Sequence, residues 1–109
     1  MDVISVTTEI HEASKRLSKS ADALFKLGRE KAEAERDYRS RLAQEMLRLK
    51  VEEGLAATLI PDIAKGNVAE YLFQRDFTEA QFKAGIEAAD AIKVQVSALQ
   101  TILKYQTDV

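Results

Sequence analysis

Across 109 residues there is a single proline, Pro61, and its isolation restricts what this chain can become more than any other feature. Proline inside a helix costs about 3 kcal/mol, so the proline-free stretches on either side can run as uninterrupted helices. From Val3 to Glu53 the sole interior glycine is Gly28. At about 1 kcal/mol relative to alanine it weakens a helix without ending it. One helix is therefore predicted over residues 3–53 and a return helix over 68–106.

Between them, GLAATLIPDIAKGNV gathers Gly54, Pro61 and Gly66 into a turn holding a short helix over 59–65. Thr58 is the expected N-cap, Pro61 is tolerated in the first turn, and Gly66 suits the left-handed position that closes a helix. Asn67 is expected to cap the return helix, with Glu70 completing a capping box. Thr78-x-x-Gln81 is a second such box, but the apolar stripes pass it without a change of phase, so the return helix is expected to continue.

Apolar spacing says which faces need covering. Val3, Val6, Ile10, Ala13, Leu17, Leu24 and Leu27 recur three and four apart, broken by Ser20, as in a coiled-coil seam. Arg29 to Arg41 holds five basic and four acidic residues, with Lys31–Glu35, Glu35–Arg39 and Asp37–Arg41 at i,i+4, and reads as a solvated helix. The seam resumes in a shifted phase through Tyr38, Leu42, Met46 and Leu49. The return helix carries two stripes: Ala69, Phe73, Phe77, Ala80, Ala84, Ala88, Ala91, Ala98, Ile102 and Tyr105, and Leu72, Phe82, Ile86, Ala89, Val96, Leu99 and Leu103. One stripe can pack on the first helix and the other needs a second copy, so Phe73, Phe77, Ala80, Ala84, Ala88, Ala91, Leu99 and Ile102 are the expected oligomer contacts. The expected fold is all-α: a single-domain, coiled-coil-like antiparallel helical hairpin that assembles into a helical bundle as a dimer or higher oligomer.

Charge names no partner. Sixteen basic and 18 acidic residues nearly cancel, and residues 1–54 carry 11 of each. Without a span of roughly 18–20 apolar residues and with an acidic start, MDVISVTTEIHE, a cytoplasmic setting without membrane attachment is expected. The absence of cysteine excludes disulfides and thiolate chemistry.

Few residues offer chemistry. His11 is the only histidine and lies beside Glu9 and Glu12, a surface setting rather than a metal or acid–base one. Glu52-Glu53 and Glu87-Ala-Ala-Asp90 match the letters by which helical nucleoside-triphosphate pyrophosphohydrolases hold magnesium. In an antiparallel hairpin they fall about 30 Å apart, so no catalytic residue, metal or cofactor is assigned. Lys65-Gly66-Asn67, at the start of a helix, is a candidate anion site. Arg36, Arg39, Arg41, Arg48 and Lys50 are candidates for a basic row, the first three above all, although Glu33, Glu35, Asp37 and Glu45 interleave and disfavour nucleic acid.

The blocks TTEIHEASKRL, AEAERDYRSRLAQEMLRLK, TLIPDIAKGNVAEYLFQRD and SALQTILKYQ together resemble a family of short proteins carried by temperate phages and prophages of Gram-positive bacteria. The resemblance covers nearly the whole chain and carries over no functional residue. It implies a protein that acts by binding a host or phage protein, for instance to block a bacterial defence system. Alternatives are an accessory role in phage replication or recombination, sequestration of a small anionic nucleotide, and magnesium-dependent nucleotide hydrolysis.

Overall fold

The computed structural model describes residues 2–107. They form three helices, α1 (Val3–Val51), α2 (Ile60–Asn67) and α3 (Ala69–Thr107), with no strand among the described residues. The chain is all-α, and its long helix pair, α1 and α3, is the hairpin that the proline and glycine spacing predicts. No helix is long and apolar enough, within the described residues, to cross a membrane.

Asp2 caps α1: its Oδ1 accepts the Ser5 backbone N–H at 2.7 Å. That hydrogen bond is the main reason the Asp2 carboxyl lies below its ordinary range. At the other end α1 stops at Val51, two residues earlier than expected, because Gly54 takes the left-handed conformation with φ 61°. There the chain reverses, and the Leu55 N–H reaches back to the Leu49 carbonyl at 3.2 Å.

The helix-end chemistry expected of the turn is corrected in three places. Thr58 does not cap α2, which begins after Leu59 with no side-chain cap, and Pro61 sits in its first turn. Gly66 lies inside α2 rather than in a left-handed position beyond it, since Gly54 alone has positive φ among the described residues. Asn67 closes α2 instead of capping α3. The single residue Val68 joins the two helices: its N–H bonds to the Ala64 carbonyl at 3.1 Å, and its own carbonyl accepts from Tyr71 and Leu72. Val68 and Ala64 are both buried at this junction. Nor does Thr78 divide α3. Its hydroxyl donates to the Gln74 and Arg75 carbonyls, the back-bonding of a hydroxyl within a continuous helix.

The chain forms two compact units. One comprises Leu27–Phe82; the other joins α1 up to Lys26 with α3 from Lys83. In the latter, Val6, Ala13, Ala89 and Leu99 are buried, with Ile10, Leu17, Leu24, Val96 and Leu103 half-buried around them, and Arg16 donates to Gln95 Oε1 at 2.7 Å. The covered positions alternate three and four apart, the knobs-into-holes spacing of a left-handed helix pair.

In the Leu27–Phe82 unit the pairing is antiparallel, with Glu35 and Tyr38 beside Arg75, Arg41 beside Tyr71, and Glu45 beside Asn67. Its apolar end is a cluster of Leu49, Ile60 and Ala64, onto which Leu42, Met46 and Leu55 pack. Gly28 has a packing role. A Cβ there would lie 3.3 Å from the Phe82 ring, so the missing side chain makes space for an aromatic one.

The two turn glycines are expected to respond oppositely to alanine, because a Cβ at either meets nothing within 4 Å and only the backbone differs. Gly54→Ala should lower stability by about 1–2 kcal/mol, the left-handed penalty. Gly66→Ala should raise it by about 0.5–1 kcal/mol, the gain in helix entropy. Denaturant titrations followed by circular dichroism check both signs, and destabilisation by Gly66→Ala would contradict its helical placement.

Candidate functional site

The basic row does not form. On a helix of 3.6 residues per turn, Arg39 and Arg41 project about 160° apart, so Arg36, Arg39 and Arg41 cannot share one face of α1. Each also has its own local partner. Arg36 lies on Asp37 at 3.3 Å, Arg39 donates to Glu35 at 2.8 Å, and the Arg41 guanidinium sits over the Tyr71 ring at 5.2 Å.

The turn candidates Lys65, Gly66 and Asn67 are all exposed, but Asn67 is already engaged. Its amide donates to Glu45 Oε1 at 2.9 Å, and Arg48 grips the same carboxylate at 2.6 Å while reaching Glu53 at 3.2 Å. Hydrogen bonds from Arg48 first, and from Asn67 second, hold the Glu45 carboxyl below its usual range. A carboxylate thus occupies the donor that an incoming anion needs, and repels it.

His11 is exposed. Glu52 and Glu53 belong to the Leu27–Phe82 unit, whereas Glu87 and Asp90 belong to the other, where Asp90 lies 3.7 Å from Lys93. Among the described residues no group of three or more His, Asp or Glu side chains is placed to hold a metal ion.

The expected oligomer contacts divide by exposure. In the Leu27–Phe82 unit, Phe73, Phe77 and Ala80 are exposed. In the other unit Ala84, Ala88, Ala91 and Ile102 are exposed as well, but Leu99 is not. At 6% exposure, Leu99 lies in the covered seam between the two helices, and is corrected from outward contact to core residue. It belongs to the second stripe, with the buried Ala89 and half-buried Val96, which the α1 segment of this unit covers.

Phe73 and Phe77 stand out on this surface. Their rings stack with centroids 5.8 Å apart and planes 12° from parallel, and they are 65% and 46% exposed. A helix that turns two phenylalanines outward leaves their apolar ring area uncovered. Phe25, 76% exposed, is a further outward phenylalanine, in the other unit.

Two features escaped the sequence reading. Within Arg29 to Arg41, a solvated helix with only Ala32, Ala34 and Tyr38 to bury, Ala34 and Tyr38 are buried and Ala32 is exposed; unforeseen is Arg75, which lies over the Tyr38 ring at 4.6 Å and 3.8 Å from Glu35. Asp76, at 3.0 Å, is the foremost cause that holds Arg75 more firmly charged. The only available signal was the reciprocal spacing of Tyr38 with Arg41 and Tyr71 with Arg75, which acquires meaning once the helices pair. The second feature is a polar groove of about 390 Å³ between α1 and α3 in this unit. Glu30, Glu33 and Asp37 line one wall; Tyr71, Gln74, Thr78 and Gln81 line the other.

Comparison of the chain with protein-family models, with curated proteins and with solved structures finds no match.

A folded-state carboxyl of lowered pKa contributes stability that is present above its ordinary range and is lost as pH falls through the lowered value. Glu45→Gln should therefore lower the thermal midpoint at about pH 7, and the deficit should close as the medium is acidified below about pH 4. Thermal melts of both proteins across that interval provide the check; a deficit that persists unchanged in acid would remove the carboxylate from the explanation.

Proposed function

We propose that this chain is a non-catalytic helical interaction protein that self-associates and engages a second protein through the outward face of α3. The observation that carries the proposal is the stacked, exposed Phe73–Phe77 pair. Exposed aromatic anchors of this kind dominate binding energy at protein interfaces, because burying each ring removes a large apolar area from water. The arginines of α1 support the same reading over nucleic acid, because Arg36 and Arg39 each lie against a carboxylate of their own helix.

Self-association is assigned to the exposed Ala84, Ala88 and Ala91, whose small side chains permit close approach of another helix. The resemblance of its sequence blocks to a family of phage and prophage proteins supports the proposed setting: a bacterial host, with a host or phage protein as partner, including a component of a defence system.

Phe73→Ser combined with Phe77→Ser should retain the helical circular dichroism of the parent, since both rings are exposed. Binding to the partner should fall by at least about tenfold, the equivalent of 1.4 kcal/mol. Affinity capture from a bacterial lysate with the two proteins side by side measures the loss. Equal capture by both, or a parent that captures nothing, would remove the reading. Ala88→Arg should separately shift the parent oligomer to a smaller species in light scattering, and a parent already monomeric would remove the self-association.

A further inference from the structure

We infer that the partner segment received by the Leu27–Phe82 unit is a basic amphipathic helix, its apolar face on Phe73 and Phe77 and its cationic edge along the groove beside them. The inference rests on the interaction reading above and specifies the chemistry of the partner.

The two surfaces are contiguous. Gln74 lines the polar groove and also the depression formed by Ala69, Glu70 and Phe73. One step around α3 from the stacked rings therefore leads into the groove. Its α1 wall presents Glu30, Glu33 and Asp37, spaced three and four apart and so projecting along one line of the helix. Glu70 adds a fourth carboxylate at the edge shared with Phe73. The lining contains no lysine or arginine. An apolar strip bordered on one side by a row of carboxylates is complementary to a helix with apolar residues on one face and lysine or arginine along its flank.

Two of the carboxylates, Glu33 and Asp37, have exposed arginine partners. Arg29 approaches Glu33 at 3.8 Å and Arg36 approaches Asp37 at 3.3 Å, with all four side chains more than half exposed. Surface pairs of this sort exchange readily with other cations. A second copy fits this surface less well, since the Phe73 depression of each copy brings its own Glu70 and no cation of the lining to receive the other's.

The test uses the full chain and two labelled synthetic peptides of about 18 residues, long enough for five helical turns: one of leucine and lysine in amphipathic order, the other with glutamate replacing every lysine. Fluorescence anisotropy should show the leucine–lysine peptide binding and the leucine–glutamate peptide not binding. Raising salt from about 0.05 M to 0.5 M should weaken the complex several-fold. Glu33→Lys with Asp37→Lys should weaken it by about tenfold or more, as should Phe73→Ser with Phe77→Ser. Glu9→Lys with Glu12→Lys, the same change of net charge in the other unit, should leave it unchanged, as should Phe25→Ser. Should either reversal pair disturb the fold, Glu33→Gln with Asp37→Asn gives the same comparison without new charge. Equal binding of both peptides, equal loss from the two reversal pairs, or binding of neither peptide would overturn the inference. Loss of lysate capture with the phenylalanine variant but not with Glu33→Lys and Asp37→Lys would leave the interaction reading standing and remove the basic partner alone.

Discussion

Leu49, Ile60 and Ala64 pack together where the chain reverses, and the pairing of the helices in the Leu27–Phe82 unit depends on that contact. A seam repeating every seven residues specifies its own register weakly, because sliding by one heptad again sets apolar residues against apolar residues. The turn cluster removes this freedom by fixing where α1 ends relative to where α3 begins. Gly54 makes the reversal sharp enough for Leu55 to fold back onto the cluster, and Val68 continues α2 into α3 without a loop.

Away from the turn, register in this unit is held by features that a uniform leucine seam lacks. Phe82 fits where Gly28 has no side chain. Arg75 covers Tyr38 and Arg41 covers Tyr71, so each helix places a cation on an aromatic ring of the other. A half-buried guanidinium stacked on a ring tolerates displacement poorly, because a slip parts Arg75 from Tyr38 and Glu35 on the other helix and leaves only Asp76, which travels with it. The same elements form the polar groove. The middle of this helix pair gives up apolar burial, and in return presents hydrogen-bonding and charged groups in fixed positions beside an exposed aromatic pair.

Helix α3 thus has two kinds of face. The seam, with Ala89, Leu99 and Thr78 buried, packs against α1. The outward positions are apolar without being covered. Helices gain most of their stability from a packed apolar face, and outward apolar residues contribute to that only when another molecule covers them.

Much of the fold was legible in the residues. The absence of proline through α1 and α3, and the three- and four-residue spacing of Val6, Ala13, Leu49 and Ala89, determined two long helices and most of the faces they bury, because backbone hydrogen bonding and helical periodicity are local properties. The outward stripe of Phe73, Phe77 and the alanines was legible for the same reason. The turn was legible only as a turn. Which glycine goes left-handed depends on where the chain reverses, and Asn67 binds a carboxylate instead of capping a helix because Glu45, 22 residues away in sequence, lies beside it. The cation–aromatic contacts, the notch at Gly28, the burial of Leu99 and the joining of the acidic groove to the phenylalanine pair belong to tertiary structure alone. Each requires side chains from two helices at a defined register, and register is a property of the pair that neither helix carries by itself.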